Sequence, residues 1–475
     1  MSYRIRFHLR GLSLTLMLVL SGLALPALSQ APTPAPPVRT FPPGARHEVM
    51  PPVRHVNRAL LKRIAPLVEH AIARGAFPGA VILAAHRGQI IYQGVFGSRR
   101  ILPSPAPMRY NTIFDLASLT KVIATAPAVM QLLSEGRLRL DAPIARYWPA
   151  FADNGKGALT IRELMTHFSG LPPDIPSPVL LELLHMPPTH FLGWPKNQNV
   201  NVPWHGLEAA KRLIEQARLI NPPGKKFVYS DINFIVMGYL VQRLTGEPLN
   251  IYDQKHIFGP LDMRDTMFNP PVTLRNRIAP TQVINGQLRW GQVHDPTAAA
   301  MGGVSGMAGL FSDAHDLGLY AQMLLNGGVL NVRQRRKGAL TYRRARILGP
   351  LAVLKMTTPQ SPPGNPDLRG LGWDIDSSFS NRGVLFPFGS FGHTGWTGTS
   401  IWVDPYTQTY LIMLTSRVHP QPLPGRDPLI RLRLRIANLV AASLDDVNIR
   451  GLSNTGPGEL WRAYPHPKKK KKKGK

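Results

Sequence analysis

The stretch Phe114-Asp115-Leu116-Ala117-Ser118-Leu119-Thr120-Lys121-Val122-Ile123-Ala124 decides how this chain folds and which chemistry it can perform. Ser118 and Lys121 stand three positions apart, so they lie on one face of a helical turn. A serine hydroxyl is a weak nucleophile at neutral pH and needs a base beside it. Burial among these apolar neighbours would lower the pKa of Lys121, so that a neutral amine accepts the serine proton. We therefore predict Ser118 as a nucleophile and Lys121 as its base.

A second segment, Tyr229-Ser230-Asp231, carries another candidate catalytic group. It follows the loop Asn221-Pro222-Pro223-Gly224 and precedes an apolar helix predicted for residues 233–244. A tyrosine next to a Ser/Lys pair could relay the proton to the leaving group. Taken alone, a tyrosine in such a loop is more often a packing residue.

The third segment is His393-Thr394-Gly395-Trp396, which precedes strand-like residues. Its small residues allow a backbone to approach a ligand closely. The N–H group of Trp396, at a strand edge, and that of Ser118 would then form an oxyanion hole.

In this order, the three segments resemble the Ser-x-x-Lys, Tyr-x-Asn and Lys-Thr-Gly signature of penicillin-binding proteins and serine β-lactamases. The tyrosine and the spacing are similar to the branch of class C β-lactamases, D-alanyl-D-alanine carboxypeptidases, D-aminopeptidases and related esterases. Further stretches agree, and some resemble the YfeW-type D-alanyl-D-alanine carboxypeptidases (penicillin-binding protein 4B). These stretches are Leu164 to Pro172, Trp290 to Asp295, Met301 to Asp313, and His393 to Gly398.

The resemblance covers roughly residues 57 to 445. It implies a β-lactamase/transpeptidase-like α/β (α+β) fold: an antiparallel sheet flanked by helices, with an inserted, mostly helical subdomain. It implies no cofactor. The catalytic residues would be Ser118, Lys121 and Tyr229, and the substrate-binding and oxyanion residues would be Asp231, His393, Thr394, Gly395 and Trp396.

Two residues depart from the signature. Asp231 stands where the branch has Asn, and an ionised Asp can only accept hydrogen bonds. Asp231 could instead pair with Lys121 and keep it charged. His393 stands where Lys is usual and is mostly neutral at pH 7, so it offers no permanent charge to a substrate carboxylate. Both changes speak against efficient β-lactam hydrolysis.

The function expected from the resemblance is a D-alanyl-D-alanine carboxypeptidase that forms an acyl-enzyme on Ser118 in peptidoglycan metabolism. Its substrate would be a small molecule or a peptidoglycan peptide, and β-lactams would be covalent ligands. Two alternatives stay open: a carboxylic-ester hydrolase of the same fold, and a penicillin- or wall-binding protein with little turnover.

The chain divides into four predicted regions. Residues 1–29 are a signal peptide or membrane anchor, with basic residues before an apolar stretch and a small-residue cleavage site. Residues 30–52 form a Pro-rich linker, residues 53–450 form the hydrolase domain, and residues 451–475 form a basic tail. We therefore expect export to the periplasm, with tethering to the inner membrane if the N-terminal segment is not cleaved.

Composition excludes several other classes. The chain has 475 residues, no cysteine and a formal net charge of +29, so thiol nucleophiles and thiolate metal sites are excluded. A basic surface attracts anions such as acidic lipid headgroups or wall polymers. No zinc-finger spacing or aromatic-interleaved basic motif is present, and we expect no nucleic-acid partner. The histidines are scattered and Gly-x-Ser-x-Gly is absent, so neither a metal site nor an α/β-hydrolase is predicted.

Periodicity predicts the main secondary structure. The predicted helices are residues 60–72, 119–135, 233–244, a helix capped by Ser312, and 431–444; the predicted strands are 80–85, 89–96, 400–403 and 409–415. Such an order suggests a sheet built from both ends of the chain with a helical region between them.

Overall fold

The centre of the fold is an antiparallel sheet that joins the N-terminal and C-terminal parts of the chain. The computed structural model describes residues 45–51, 53–175, 206–336, 339–422, 427–453 and 455–456. Within the sheet the strand order is β1-β3-β2-β16-β15-β14-β13-β12, and β4 pairs with β3. The predicted fold class, a sheet built from both ends and flanked by helices, is confirmed.

The strands are β1 Ala45–Val49, β2 Gly79–His86, β3 Gln89–Arg100, β4 Ala106–Pro107, β5 Phe114–Asp115, β6 Met267–Phe268, β7 Val283–Ile284, β8 Gln287–Leu288, β9 Leu310–Ser312, β10 Val329–Arg336, β11 Ala339–Arg346, β12 Leu368–Arg369, β13 Asp374–Asp376, β14 Phe391–Thr394, β15 Ser400–Asp404 and β16 Thr409–Thr415. Outside the central sheet, β10 pairs with β11, β7 pairs with β8, and β9 lies between β5 and β6.

The α-helices are α1 Arg58–Leu61, α2 Ile64–Ala73, α3 Ala126–Ser134, α4 Ile161–Met165, α5 Gly206–Gln216, α6 Asp231–Thr245, α7 Leu249–Asp253, α8 Gly259–Leu261, α9 Pro296–Ala300, α10 Ala314–Leu325, α11 Pro350–Thr357 and α12 Asp427–Ala442. Short 3-10 helices cover Ala117–Leu119, Ile144–Arg146, Pro149–Ala152 and Val272–Arg277, and π-helical turns cover Lys121–Thr125 and Gln254–Phe258.

Strand β2 shows why the sheet is covered on both faces. All eight of its residues are buried, and successive side chains of a strand point to opposite faces. Val81 and Leu83 join the larger core, which holds the nucleophile segment and the helical region. Ile82 and Ala84 join the smaller core against the first and last helices of the chain. The sheet therefore separates a terminal helical layer from the layer that carries the site.

Several elements differ from the sequence predictions. Ala45–Val49 was assigned to the linker, yet it pairs with β3 as an edge strand. The first predicted helix is divided into α1 and α2. The cap of α10 is Asp313, whose side chain accepts from the N–H of Asp316, and Ser312 ends β9 instead. The basic hairpin of β10 and β11 was not predicted at all.

The predicted signal segment at residues 1–29 and the lysine run at residues 468–473 lie outside the described residues. No helix among the residues that the structure describes combines the length and the apolar character needed to cross a bilayer.

Candidate active site

Ser118 lies on a sharp turn at the start of the helical segment that the sequence predicted. Ala117 before it has φ +48°, in the left-handed region that non-glycine residues rarely adopt. Asp115 holds this conformation, because its Oδ1 accepts the N–H of Ala117 at 2.8 Å. Burial raises the pKa of Asp115 to about 6. Ser118 is part-exposed while its neighbours are buried, so the turn presents the hydroxyl to the cleft.

Lys121 lies fully buried beside Ser118. Its Nζ is 3.0 Å from Ser118 Oγ, 2.9 Å from the carbonyl oxygen of Met307 and 2.5 Å from Asp231 Oδ1. Burial alone would lower the pKa of Lys121, but the Asp231 carboxylate and Tyr229 outweigh it and raise that pKa. The expectation of a lowered pKa is therefore wrong, and the alternative pairing of Asp231 with Lys121 is what the structure shows.

The glycine-rich segment 302–309 places the Met307 carbonyl. Thr125, in the same helical segment as Lys121, donates its hydroxyl to Gly306 O at 2.6 Å. A Cβ on Gly306 would lie 2.1 Å from Phe234 O and 2.9 Å from Gly238 N, so only glycine allows this approach to α6. This segment, noted in the sequence only as part of a resemblance, thus orients the lysine.

Tyr229 lies between two rings. His167 stacks on it at a centroid distance of 4.3 Å, and Phe379 stacks at 5.4 Å. Lys121 Nζ is 5.2 Å from the Tyr229 ring centre. Burial raises the pKa of Tyr229 even though the Lys121 charge and hydrogen bonds from Ser118 and Lys121 act against it. The phenol is therefore protonated and lies close to the side chains of Ser118 and Lys121.

His167 is a site residue that the sequence analysis missed. Its Nδ1 accepts the backbone N–H of Ser230 at 3.1 Å and contacts Asn233 Nδ2 at 3.2 Å. Burial holds the pKa of His167 well below its usual value, so the ring is neutral. His167 therefore fixes both the Tyr229 ring and the backbone after it. Its position inside the Leu164 to Pro172 stretch was the only available signal.

The charge of Asp231 also affects the pKa values of two further buried carboxyl groups. Burial and then the Asp231 charge raise the pKa of Asp174 well above its ordinary value, and the same two causes raise the pKa of Asp295. Asp174 accepts the Thr297 hydroxyl at 3.3 Å. Asp231 is the carboxylate in contact with Lys121 Nζ, so it balances the Lys121 charge directly.

The segment after β14 is bound directly to the turn before Ser118. Thr397 donates its hydroxyl to Asp115 O at 2.7 Å, and Thr399 donates to Leu116 O at 3.0 Å. A Cβ on Gly395 would lie 2.3 Å from Leu116 O, so glycine is required there. These contacts bring Trp396, whose side chain is exposed, to the rim beside the nucleophile.

His393 lies on β14, where the signature has lysine, and it is buried. Its Nδ1 bonds to Thr394 O at 2.9 Å, and its ring centre is 6.0 Å from that of Tyr229. Burial, followed by the charges of Arg369 and Lys121, holds the pKa of His393 well below its usual value. The ring is neutral, and its Nε2 has no hydrogen-bond partner among the described residues.

A permanently charged side chain, Arg417, nevertheless contacts the segment that follows β14. Arg417 donates its Nε–H to Trp396 O at 2.8 Å, and its guanidinium carbon is 4.7 Å from the centre of the Trp396 ring. The same arginine helps to lower the pKa of His294, after burial and Arg289. Sequence reasoning missed Arg417 because it lies beyond the next two strands, far from any motif.

His294, which lies in the Trp290 to Asp295 stretch, makes structural contacts. Its backbone N–H donates to Asp115 Oδ2 at 2.6 Å, and its Nε2 bonds to Gln282 Oε1 at 2.9 Å. Burial lowers the pKa of His294 to about 3, so it is neutral. Asp295 accepts the N–H of Ala298 and caps α9.

One group of metal-ligand type side chains exists among the described residues, away from Ser118. Ligand atoms of Asp313, His315 and Asp316 lie within 4.8 Å of one another. The carboxylates already have partners: Asp313 accepts the N–H of Asp316, and Asp316 Oδ2 accepts from Asp265 N and Thr266 Oγ1 at 2.8 and 2.9 Å. They serve to cap α10 and to anchor the loop before β6.

The sequence model of the β-lactamase family matches residues 64–435. The chain belongs to the β-lactamase family. Relatives of this β-lactamase-family protein include the "Putative D-alanyl-D-alanine carboxypeptidase" of Escherichia coli K12, which is 31% identical over 389 residues, covering 74% of this chain and 81% of the relative. The protein of the same name from Salmonella typhimurium LT2 is 29% identical over 421 residues, or 81% and 88% of the two chains.

Solved structures show the same fold. EstCE1, a hydrolase with promiscuous acyltransferase activity, matches with a TM-score of 0.61 at 24% identity, over 81% of this chain and 99% of that one. A penicillin-binding protein homologue from Caulobacter crescentus matches with a TM-score of 0.60 at 19% identity, over 83% and 100%. Both likenesses confirm the architecture of the β-lactamase-family chain.

We predict that Gly306→Ala destabilises the protein, because its methyl group would collide with backbone atoms of Phe234 and Gly238. Overpacking of this kind costs about 1–3 kcal/mol in the free energy of unfolding. Gly157→Ala is the matched control, since its nearest neighbour atom is 3.7 Å from the added Cβ, and we expect a change within about 0.5 kcal/mol. Denaturant unfolding measures both, and equal stability of the two variants would contradict the close approach.

Proposed function

We propose that this protein is a serine-type D-alanyl-D-alanine carboxypeptidase that forms an acyl-enzyme on Ser118. The observation that carries the proposal is the 3.0 Å contact between Ser118 Oγ and the buried Nζ of Lys121, which is itself paired with Asp231. The choice of substrate is supported by relatives about 30% identical that bear this name. Such an activity belongs outside the cytoplasmic membrane, as the predicted N-terminal signal requires.

Acylation follows from the hydrogen bonds of Lys121. A lysine ammonium has no acceptor lone pair, and here it donates to Ser118 Oγ and Met307 O and forms an ion pair with Asp231 Oδ1. The ammonium can therefore take the Ser118 proton only as it releases one of its own. Asp231 is the nearest acceptor, at 2.5 Å. Ser118 attacks the carbonyl, Lys121 receives its proton, and Asp231 accepts the proton that Lys121 gives up.

Collapse of the tetrahedral intermediate needs a proton on the departing amine and stabilisation of the oxyanion. Tyr229, kept protonated by burial, donates its phenol proton to the amine of the leaving D-alanine. Asp231 returns the proton to Tyr229 through Lys121. The N–H groups of Ser118 and Trp396 bind the oxyanion. Water then attacks the acyl-enzyme by the same proton path in reverse and releases the shortened peptide.

The first test is D-alanine release from a peptide ending in D-Ala-D-Ala. Ser118→Ala removes the attacking oxygen, so we expect both release and covalent labelling by a fluorescent penicillin to be lost. Ser134→Ala is the matched control, because Ser134 ends the same helical segment and only donates to Met130 O. Labelling that survives in Ser118→Ala would exclude this nucleophile.

The proton path gives a second prediction. Asp231→Asn removes the final proton acceptor, and we expect kcat to fall by about 10² or more, a typical contribution of a general base. Asp174→Asn is the control: the carboxyl of Asp174 accepts from Ile175 N and Thr297 Oγ1, whereas the ion pair with Lys121 is made by Asp231, so we expect activity to be retained.

An increase in the activity of Asp231→Asn would identify a different base. Asp231 raises the pKa of Lys121 against the effect of burial, so Asp231→Asn lets burial lower it. If the neutral amine of Lys121 is the base, the rising limb of the pH–rate profile moves to lower pH and activity at neutral pH increases. That outcome would remove Asp231 from the proton path.

A second candidate function, hydrolysis of carboxylic esters, is favoured by one observation. His393 is neutral, so β14 supplies no fixed charge for the carboxylate of a substrate. For a carboxypeptidase, we infer that this charge comes from Arg417, a buried cation that contacts Trp396. An ester hydrolase needs no such charge, because its substrates carry no terminal carboxylate.

The two functions differ in how the enzyme treats a free carboxylate. We expect kcat/KM for the free D-Ala-D-Ala peptide to exceed that for its C-terminal methyl ester by roughly tenfold or more, as for a charge-assisted contact. Arg417→Gln should remove this preference while it leaves turnover of the methyl ester in place. Equal rates on the two peptides, together with faster turnover of p-nitrophenyl esters, would establish the ester hydrolase instead.

A further inference from the structure

A basic and apolar surface lies on the hairpin of β10 and β11 and on the helix α11 that follows it. Between Asp316 and Asp367 the chain has no acidic residue and eight basic ones. These are Arg333, Arg335, Arg336, Lys337, Arg343, Arg344, Arg346 and Lys355. Because all the charged residues of this stretch are basic, they create a strongly positive field over the hairpin.

The hairpin has one face packed on the protein and one face in solvent. Leu330, Val332 and Ala345 are buried in the larger core. The register pairs Arg333 with Tyr342 and Asn331 with Arg344, and these pairs point to the opposite face. Tyr342 is 64% exposed. The outer face therefore presents an aromatic side chain between arginines.

Helix α11, which follows the hairpin, exposes two leucines of its own. Leu351 is 79% exposed and Leu354 is 56% exposed, and their spacing of three puts them on one helix face. Val353 and Met356 hold the other face in the core. The helix starts against the base of the hairpin, since a Cβ on Gly327 would lie 3.2 Å from the Pro350 Cβ.

We propose that this surface, defined by Arg333, Leu340, Tyr342, Arg344, Leu351 and Leu354, docks on an anionic phospholipid bilayer. Exposed large apolar side chains grouped in this way mark a docking site. A bilayer interface accepts both kinds of group, because the arginines meet lipid phosphates while the tyrosine and leucines enter the acyl boundary. A soluble anionic polymer would satisfy the arginines only.

The same surface fixes the position of the active site above the bilayer. Gln131 donates to Ile347 O at 3.0 Å, directly between the hairpin and α11. Gln131 lies 13 positions after Ser118 along one continuous helical segment, which corresponds to about 20 Å. The nucleophile thus lies at the end of this segment away from the docking surface. The proposal does not depend on which substrate the site hydrolyses.

The absence of cysteine allows a site-specific test on the full chain. Leu351→Cys, labelled with a polarity-sensitive fluorophore, reports on the surface, and Val272→Cys is the control because Val272 is 77% exposed elsewhere in the fold. With vesicles of phosphatidylglycerol and phosphatidylethanolamine, we expect a blue shift at position 351 and none at 272. Phosphatidylcholine vesicles should leave both unchanged. Because the readout is local, binding through the N-terminal segment or the lysine tail does not imitate it.

Reversing the charge of two arginines tests the electrostatic contribution to bilayer binding. Arg333→Glu with Arg344→Glu, in the Leu351→Cys background, should raise the lipid concentration for half-maximal shift by roughly tenfold or more. Lys62→Glu with Arg63→Glu makes the same change in net charge elsewhere and should have no comparable effect; thermal unfolding checks that both variants fold. An unshifted label at 351, equal shifts at 351 and 272, or a response to soluble polyphosphate equal to that with vesicles would overturn the proposal.

Discussion

The ion pair between Lys121 and Asp231 is the interaction on which the site depends. An ammonium buried without a partner is costly, and its charge persists in the core only when it is paired and hydrogen-bonded. Asp231 is suited to this position because it occupies the first turn of α6, where the helix dipole favours a negative charge. The pair therefore joins the nucleophile segment to the helix that follows Tyr229.

The remaining charges are arranged around this pair. Burial and the Asp231 charge raise the pKa of Asp174, and His393 is held neutral by burial and by two neighbouring cations. A lysine at position 393 would add a third positive charge beside Arg369 and Lys121. The departures at 231 and 393 thus act in the same direction, because each makes the centre of the site less positive.

The sequence could predict the features that depend on residues close together in the chain. Ser118 and Lys121 were placed together because a spacing of three fixes a helix face, and the predicted strands at 80–85 and 89–96 correspond to β2 and β3, which pair with each other. The charge of Lys121 was not predictable from its own neighbourhood. Its apolar neighbours argue for a lowered pKa, and the residue that reverses this is 110 positions away in the chain. The contributions of His167 and Arg417 likewise depend on how distant strands and loops meet.

The local backbone explains how Lys121 contacts Ser118, Met307 and Asp231, which come from different parts of the chain. Lys121 begins a π-helical turn, a form that occurs mostly as single turns and often at functional sites. Ala117 before it is held in a left-handed conformation by Asp115, and such strain persists only where surrounding contacts impose it. Thr397 and Thr399 supply those contacts by binding the carbonyls of Asp115 and Leu116. The segment that follows the strand of His393 therefore also holds the turn that presents Ser118.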